Sequence, residues 1–236
     1  MRRTCILIVL LGSLGCGETG QEEVSHPIFA AGMAPAPFTV GAYEVTLDVA
    51  QIGFGPVYFC ATAAASSDLC PAAVAELATT ATVDGAAESP QQLGDVSGVT
   101  GQIRSATYDY AVTWLATQRS PTPAPGAPGG HSAHFEGRAV RGTTEFRFVA
   151  DVDVLPQIQG SRAVQGARVT ADVRDASVRV DVRFDPSAWW RSVDFRELEA
   201  LGGDPVVAPA GSRAMNAVVI GMTATTPPTF EWSELP

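Results

Sequence analysis

The chain of 236 residues contains no lysine, so all 15 of its basic side chains are arginines. A Walker phosphate-binding loop requires a lysine, and this class of nucleotide-binding protein is therefore excluded. The 25 acidic residues outnumber the arginines and give a formal net charge of −10. Because a strongly acidic protein repels the phosphate backbone, we expect no nucleic-acid partner.

The sequence also lacks the motifs of common catalytic and metal sites. It contains no Gly-x-Ser-x-Gly nucleophile elbow, no zincin or EF-hand sequence and no dinucleotide-binding fingerprint. We therefore predict that the protein is not an enzyme. A hydrolase without a recognised motif is the alternative.

The N-terminal segment has the parts of an export signal. Two arginines precede an apolar run at residues 5–11, and small residues follow up to Cys16. This run is too short to span a bilayer as a helix. We therefore interpret residues 1–15 as a signal peptide and not as an anchor helix.

Residues 13–16, Ser-Leu-Gly-Cys, resemble a bacterial lipobox, in which a small residue precedes a cysteine. In that class of protein the cysteine is lipidated and becomes the mature N-terminus, so the resemblance implies a membrane anchor at Cys16. Gly17 and Glu18 lack the aspartate that usually retains lipoproteins in the inner membrane. The resemblance therefore implies the outer membrane, on its periplasmic or its surface face. The alternative is cleavage to a soluble secreted form.

Two cysteines remain if Cys5 leaves with the signal peptide and Cys16 carries lipid. Export places Cys60 and Cys70 in an oxidising compartment, where two cysteines ten positions apart can close a loop. A disulfide is the favoured interpretation. A two-thiolate metal site is the alternative.

The composition divides the mature chain into a tether and one domain. Residues 16–37 are polar and then rich in alanine and proline, which is typical of a flexible tether. Residues 38–236 are long enough to form a single hydrophobic core. Within this domain, residues 119–130 are rich in proline and glycine, and we expect them to form an exposed loop.

Alternation of apolar and polar residues is most regular from Ala167 to Phe184. This period of two is typical of strands with one buried face. A tight turn at Arg174-Asp175 predicts that two strands pair there as a hairpin. Further strands are predicted at residues 42–54, 57–59, 101–118, 131–140, 144–154 and 229–232.

Short helices are predicted mostly towards the C-terminus. Asp185 and Asp194 are suitable N-caps for two of them, and residues 212–222 suit a third. Residues 71–77 suit a helix earlier in the chain, and residues 83–94 are predicted as loop. A parallel α/β sheet requires a helix after nearly every strand, so the pattern favours a mainly β fold, an antiparallel β-sandwich of about eight strands. An open β-barrel is the alternative.

The three histidines suggest a metal site. His131 and His134 lie where the Pro/Gly-rich loop enters a strand, and His26 lies near Met33 in the N-terminal segment. Imidazole and thioether groups are ligands that suit copper. We therefore consider a copper site formed by these four residues, with separate surface histidines as the alternative.

A second candidate site contains Trp189, Trp190 and Asp194. An exposed indole ring can stack on a sugar or another planar ligand. Adjacent helical positions point about 100° apart, so we expect one of the two rings in the core and the other exposed.

Together, these patterns predict a non-enzymatic lipoprotein of the cell envelope whose β-sandwich domain binds a ligand. Copper is the ligand that the residues suggest. The alternative is a structural or protein-interaction module of the envelope without a small ligand.

Overall fold

The computed structural model describes residues 20–63, 70 and 73–235, and the protein is mainly β. Strands account for 49% of the described residues and helical residues for 13%, and the helices lie mostly towards the C-terminus. The predicted fold class, including its alternative of sandwich or barrel, is therefore confirmed. The predicted signal peptide and Cys16 lie outside the described residues. None of the described helices is long and apolar enough to cross a membrane.

The strands of the N-terminal half are β1 (Glu23–Ala31), β2 (Phe38–Val40), β3 (Tyr43–Phe54), β4 (Val57–Cys60), β5 (Ala73–Leu77), β6 (Ala81–Asp84), β7 (Gln91–Val99) and β8 (Gly101–Tyr108). The strands of the C-terminal half are β9 (Val112–Thr113), β10 (Thr122–Pro123), β11 (Ala133–Arg141), β12 (Thr144–Val152), β13 (Val164–Val173), β14 (Val178–Arg183), β15 (Val206–Val207) and β16 (Thr229–Glu234). The helices are α1 (Pro186–Trp190), α2 (Phe195–Leu201) and α3 (Arg213–Ile220), which continues into a π-helical turn at Gly221–Thr225.

Two sheets enclose one hydrophobic core. The larger sheet has the order β13, β8, β4, β5, β7, β1, β14 and β16 and is nearly closed, with β13 next to β16. The smaller sheet has the order β15, β12, β11, β3 and β2, and β6 also pairs with β3. Most strand pairs are antiparallel, but β1 with β14 and β12 with β15 are parallel.

The N-terminal segment is part of the larger sheet. β1 pairs with β7 on one side and with β14 on the other, and Ile28 and Ala30 on this strand are buried in the core. The prediction of a tether over residues 16–37 is therefore wrong for residues 23–31, and the folded domain begins before residue 38. Buried residues alternate with more exposed ones over most of β1, but the alanines and prolines around this strand are typical of a tether.

The predicted hairpin from Ala167 to Phe184 does not form. Its two strands exist as β13 and β14, but β13 pairs with β8, whereas β14 pairs with β1 and β16. Alternation predicts the faces of a strand and not its partner. The exposed arginines Arg168, Arg174 and Arg183 confirm that the faces were assigned correctly.

Two further local predictions are wrong. Ala73–Leu77 is strand β5 and not a helix, because it pairs with β4 and β7 in the interior of the larger sheet. Residues 83–94, predicted as loop, contribute the end of β6 and the start of β7. Tertiary pairing overrides local helix propensity in such short segments.

The long strand predicted at residues 101–118 is also wrong in its extent, because β8 ends at Tyr108, β9 covers only Val112–Thr113 and residues 114–118 form no strand. The turn and cap predictions agree with the structure. The β11–β12 hairpin turns at Gly142, whose φ of +62° is strained for residues with a side chain. Asp185 and Asp194 cap α1 and α2 through their carboxylates, and the Ser212 side chain caps α3. The Pro/Gly-rich segment contains only the short strand β10 and a single 3-10 turn.

Candidate functional site

Two of the predicted metal ligands lie on the exposed face of the smaller sheet, each beside a carboxylate. His131 Nδ1 is 3.0 Å from an Asp153 oxygen, and His134 Nδ1 is 2.8 Å from an Asp151 oxygen. Asp151 and Asp153 are two positions apart near the end of β12, so both imidazoles are held on one side of the sheet.

His134 has a second carboxylate, from Glu136, 3.2 Å from its Nε2. Partial burial lowers the pKa of His134, but the hydrogen bonds to Asp151 and Glu136 outweigh it and raise this pKa above its ordinary value. Both ring nitrogens are therefore engaged with carboxylates, which favours the imidazolium form.

His26 lies elsewhere, inside the larger sheet. It is fully buried on β1, its Nδ1 is 3.2 Å from the Val178 carbonyl oxygen, and its ring packs edge-on against Trp232 at 5.3 Å between centroids. Burial lowers the pKa of His26, so the ring is neutral at pH 7. A neutral ring that donates from Nδ1 to the carbonyl carries no proton on Nε2.

Met33 is half exposed beside a small apolar pocket of about 60 Å³, next to Phe38 and Pro186. The fold therefore does not assemble the four predicted copper ligands at one place. Across residues 20–63, 70 and 73–235, no group of three or more His, Cys, Asp or Glu side chains is arranged to hold a metal ion.

The predicted disulfide between Cys60 and Cys70 is confirmed. The two Cα atoms are 5.7 Å apart, and both residues are buried at the end of β4. Both sulfur atoms are used in this bond, so the alternative of a two-thiolate metal site does not apply.

Trp189 and Trp190 are both fully buried, so the prediction that one ring is exposed is wrong. The Trp189 Nε1 donates a hydrogen bond of 2.8 Å to the Thr226 carbonyl, and Trp190 packs on Phe148 at 4.9 Å between ring centroids. The helix α1 lies across the core with neighbours on both sides, which covers both indoles. They stabilise the fold and do not face a ligand.

Asp194, in contrast, lines an open groove of about 430 Å³, which we call the arginine groove. The groove lies between the turn that joins β2 to β3, the end of β11 and the connection from α1 to α2. Its lining residues are Val40, Gly41, Ala42, Tyr43, Arg141, Arg191, Ser192, Val193, Asp194, Phe195 and Arg196.

One wall of the groove is held by an ion pair with a tyrosine. The Arg141 Nη2 lies 2.8 Å from both carboxylate oxygens of Glu199, and the hydroxyl of Tyr43 donates a hydrogen bond to the same carboxylate. The Arg141 guanidinium also lies 5.4 Å from the centre of the Tyr43 ring. Hydrogen bonds from Tyr43 and Arg141 lower the pKa of Glu199, so this carboxylate is ionised and satisfied.

The other wall carries a second ion pair and one arginine without a partner. The Arg196 Nε and Nη2 lie 3.1 and 3.0 Å from the two oxygens of Asp194, and these hydrogen bonds lower the pKa of Asp194. Arg191 is exposed at the end of α1, and its guanidinium makes no ion pair or hydrogen bond with any residue that the structure describes.

The groove is positive although the protein is strongly acidic. Three arginines line it against Asp194, and Glu199 lies behind the wall, so three positive charges face two negative ones. The whole chain carries a formal charge of −10. An arrangement of this kind is suited to hold an anion by bidentate hydrogen bonds and not to carry out acid–base chemistry.

Sequence reasoning identified only Asp194 in this groove. Arg141 ends β11, and Tyr43 begins β3. Arg191 directly follows α1, and Arg196 lies in α2, so no local sequence motif joins these residues. The one signal available was the placement of Arg191 directly after the two tryptophans.

One further charged cluster is buried and serves the fold. Asp109 accepts hydrogen bonds of 2.7 Å from Arg162 Nη1 and from the Ala163 backbone N–H, and the Arg162 guanidinium lies 4.9 Å from the centre of the Tyr58 ring.

A comparison of the chain with protein-family models, curated proteins and solved structures found no match. The function therefore has to be argued from the geometry of this chain alone.

Proposed function

We propose that the protein is an exported, lipid-anchored domain of the cell envelope that binds a ligand and has no enzymatic activity. The observation that carries the export is the buried disulfide between Cys60 and Cys70. Structural disulfides persist in oxidising compartments and are rare in the cytosol. The N-terminal signal and lipobox residues also indicate export, with lipid on Cys16 and the outer membrane as the proposed location.

The arginine groove supports binding as the activity of this domain. It has a volume of about 430 Å³, which lies in the range of small-molecule sites. Arg141 is held by the partly buried Glu199 and lies beside the Tyr43 ring, so this wall of the site is formed before any ligand arrives, whereas the Arg196–Asp194 pair is exposed. The groove also contains Asp194, which the sequence predicts as a ligand-binding residue.

The anchor is tested by the intact mass of the protein purified from the membrane fraction of its host. We expect the mass of a diacylglycerol-modified, acylated Cys16 as the first residue. The Cys16→Ser variant is expected to lack this adduct and to leave the membrane fraction. An unmodified wild-type protein of the same length would contradict the anchor.

Copper is a second candidate ligand, now limited to the exposed face with His131 and His134. The two histidines on one side of the sheet favour it, although copper would have to displace a carboxylate and the proton from His134 to use this ring as a ligand. Titration with Cu²⁺ and Cu⁺ tests this site, with the double change of both histidines to alanine as the comparison. Tight binding that the double variant loses supports copper, and equal binding by both proteins contradicts it.

Contact with another envelope protein is a further candidate activity. It is favoured by Leu115 and Ile158, which are large apolar side chains exposed on two neighbouring loops. The Gln159 amide links these loops through hydrogen bonds to the Ala116 and Gln118 carbonyls, so the apolar surface is ordered. Cross-linking in intact cells tests it, and a cross-linked product that persists unchanged in the Leu115→Ser, Ile158→Ser variant would contradict a role of this surface.

A further inference from the structure

We propose that the arginine groove binds a small molecule that carries a phosphate or carboxylate group on an apolar body. This inference rests on the proposed binding function and names its ligand class. It does not depend on the lipid anchor.

Arg191 is the first observation. Its guanidinium offers five N–H donors and has no acceptor among the described residues, although the protein has ten more acidic than basic side chains. In a chain with this excess of carboxylates, an arginine at the edge of a groove that is left without one is available for an external anion.

The second observation is that Arg141 and Arg196 each pair with a carboxylate but keep N–H donors that have no acceptor in the described structure. Glu199 engages Nη2 of Arg141, and Asp194 engages Nε and Nη2 of Arg196. Each side chain therefore keeps at least one guanidinium nitrogen with no protein acceptor in the described structure. Arginine groups fixed in this way present planar donors suited to the oxygens of phosphate and carboxylate.

The walls of the groove define the rest of the ligand. Val40 and Ala42 keep accessible apolar surface at the groove, whereas Tyr43 and Phe195 are buried behind it, so an apolar body can pack against Val40 and Ala42 next to the anionic group. The opening is shared by polar and apolar surface, and its volume exceeds what a bare inorganic ion fills. An amphipathic anion therefore fits the site better than free phosphate.

The difference in charge between the groove and the whole protein restricts where an anion is expected to bind. The negative charge of the whole protein repels anions in general, whereas the groove has a local excess of positive charge. Binding is therefore expected at the groove that the three arginines line, and it should weaken as salt screens their charge.

Calorimetric titration of the purified protein tests the proposal with three probes: phenyl phosphate, phenylacetate and inorganic phosphate. We expect saturable binding of at least one of the two phenyl compounds, and weaker binding of inorganic phosphate. Binding of phenyl phosphate alone assigns a phosphate ligand, binding of phenylacetate alone assigns a carboxylate ligand, and binding of both assigns the shared oxyanion chemistry.

Two substitutions with opposite expected effects locate the site. Arg191→Gln is expected to weaken binding about tenfold or more, which is the loss of one charge-assisted hydrogen bond. Asp194→Asn keeps the Oδ1 atom that accepts from the Arg196 backbone N–H and from Arg196 Nε, so Arg196 stays oriented, but it removes a negative charge from the groove and is expected to tighten binding by about threefold. The control is Arg168→Gln, which removes an exposed arginine from β13 and is expected to leave the affinity unchanged.

The proposal is overturned if neither phenyl compound binds, if Arg191→Gln binds as the wild type does, or if Arg168→Gln causes the same loss. Weaker binding by a folded Asp194→Asn variant would also overturn it. Failure of the proposed envelope function has a different readout, because it appears in the mass of Cys16 and not in these titrations.

Discussion

The Asp109 carboxylate is fully buried, and Arg162 beside it is 4% exposed. Burial raises the pKa of Asp109, and the ion pair with Arg162 opposes that shift. The Ala163 backbone N–H also donates to this carboxylate, so its two oxygens are both satisfied. The pair links the end of β8 to the segment before β13, and it fixes the edge where the larger sheet nearly closes.

We predict that Arg162→Met lowers the free energy of unfolding by about 3–5 kcal/mol, because it leaves a buried carboxylate without its partner. Urea unfolding at pH 7 measures this change. The control is Arg168→Met, an exposed arginine on β13 whose replacement should have little effect. An equal loss in the two variants would show that the buried pair does not stabilise the fold.

His26 predicts a pH dependence of opposite sign to that of His134. The pKa of buried His26 is lowered from its unfolded value of 6.5, with nearby Asp175 opposing the shift. The folded state therefore binds fewer protons than the unfolded state at this site, so its contribution to stability is complete above pH 6.5 and is lost as the pH falls. For His134, whose pKa is raised, the contribution is present below pH 6.5 and is lost as the pH rises through its folded pKa.

We predict that the His26→Phe variant loses less stability than the wild type between pH 8 and pH 5. Urea unfolding at several pH values measures the difference between the two proteins, in which the titration of the other groups cancels. His134→Gln is the comparison with the opposite sign, since it should lose the stabilisation present at low pH. Parallel curves for wild type and His26→Phe would contradict the assignment.

For the secondary-structure elements, the sequence predicted which face of a strand is buried more accurately than which strands pair with each other. The alternation in β3, β11, β12, β13 and β14 marked which side chains are buried, because a strand needs only a period of two to show its apolar face. Which strand lies beside β14 depends on contacts far along the chain. The nearest strand in sequence, β13, lies at the opposite edge, and the N-terminal β1 takes its place.

The candidate site was predicted less completely than the fold for the same reason. Asp194 was identified because a capping aspartate is visible in the sequence, but Arg141 and Tyr43 reach the groove from strands that are distant in the chain. Burial of both Trp189 and Trp190 depends on the two sheets that meet over α1, which no local pattern describes. The disulfide was predictable because compartment and cysteine count restrict it to one pair.

The strand β1 gives a test at this scale, because it lies between β7 and β14 in the interior of the larger sheet. We predict that a chain that begins at residue 32 fails to fold, since it exposes two strand edges and removes the buried Ile28. A chain that begins at residue 21 keeps β1 and should fold. Far-ultraviolet circular dichroism and cooperative urea unfolding measure both, and a cooperative transition of the shorter chain would restore the tether interpretation.

At the scale of the whole molecule, the terminal strands complete the same sheet. β1 and β16 pair with opposite sides of β14, so the first and last strands of the described chain are connected through β14. The arginine groove lies at the periphery of the core, where α1 and α2 meet the ends of β2, β3 and β11. The negative charge of the whole protein and the local positive charge of the groove are consistent with the proposed binding of an anion at the three arginines.

The location of ligand binding tests this account most directly. We propose titrating phenyl phosphate into the isotopically labelled protein and following the backbone amide resonances. We expect the largest changes in chemical shift at residues 40–43, Arg141 and residues 191–196, with little change at His131 and His134. Changes centred on the two histidines, or no saturable change anywhere, would contradict it.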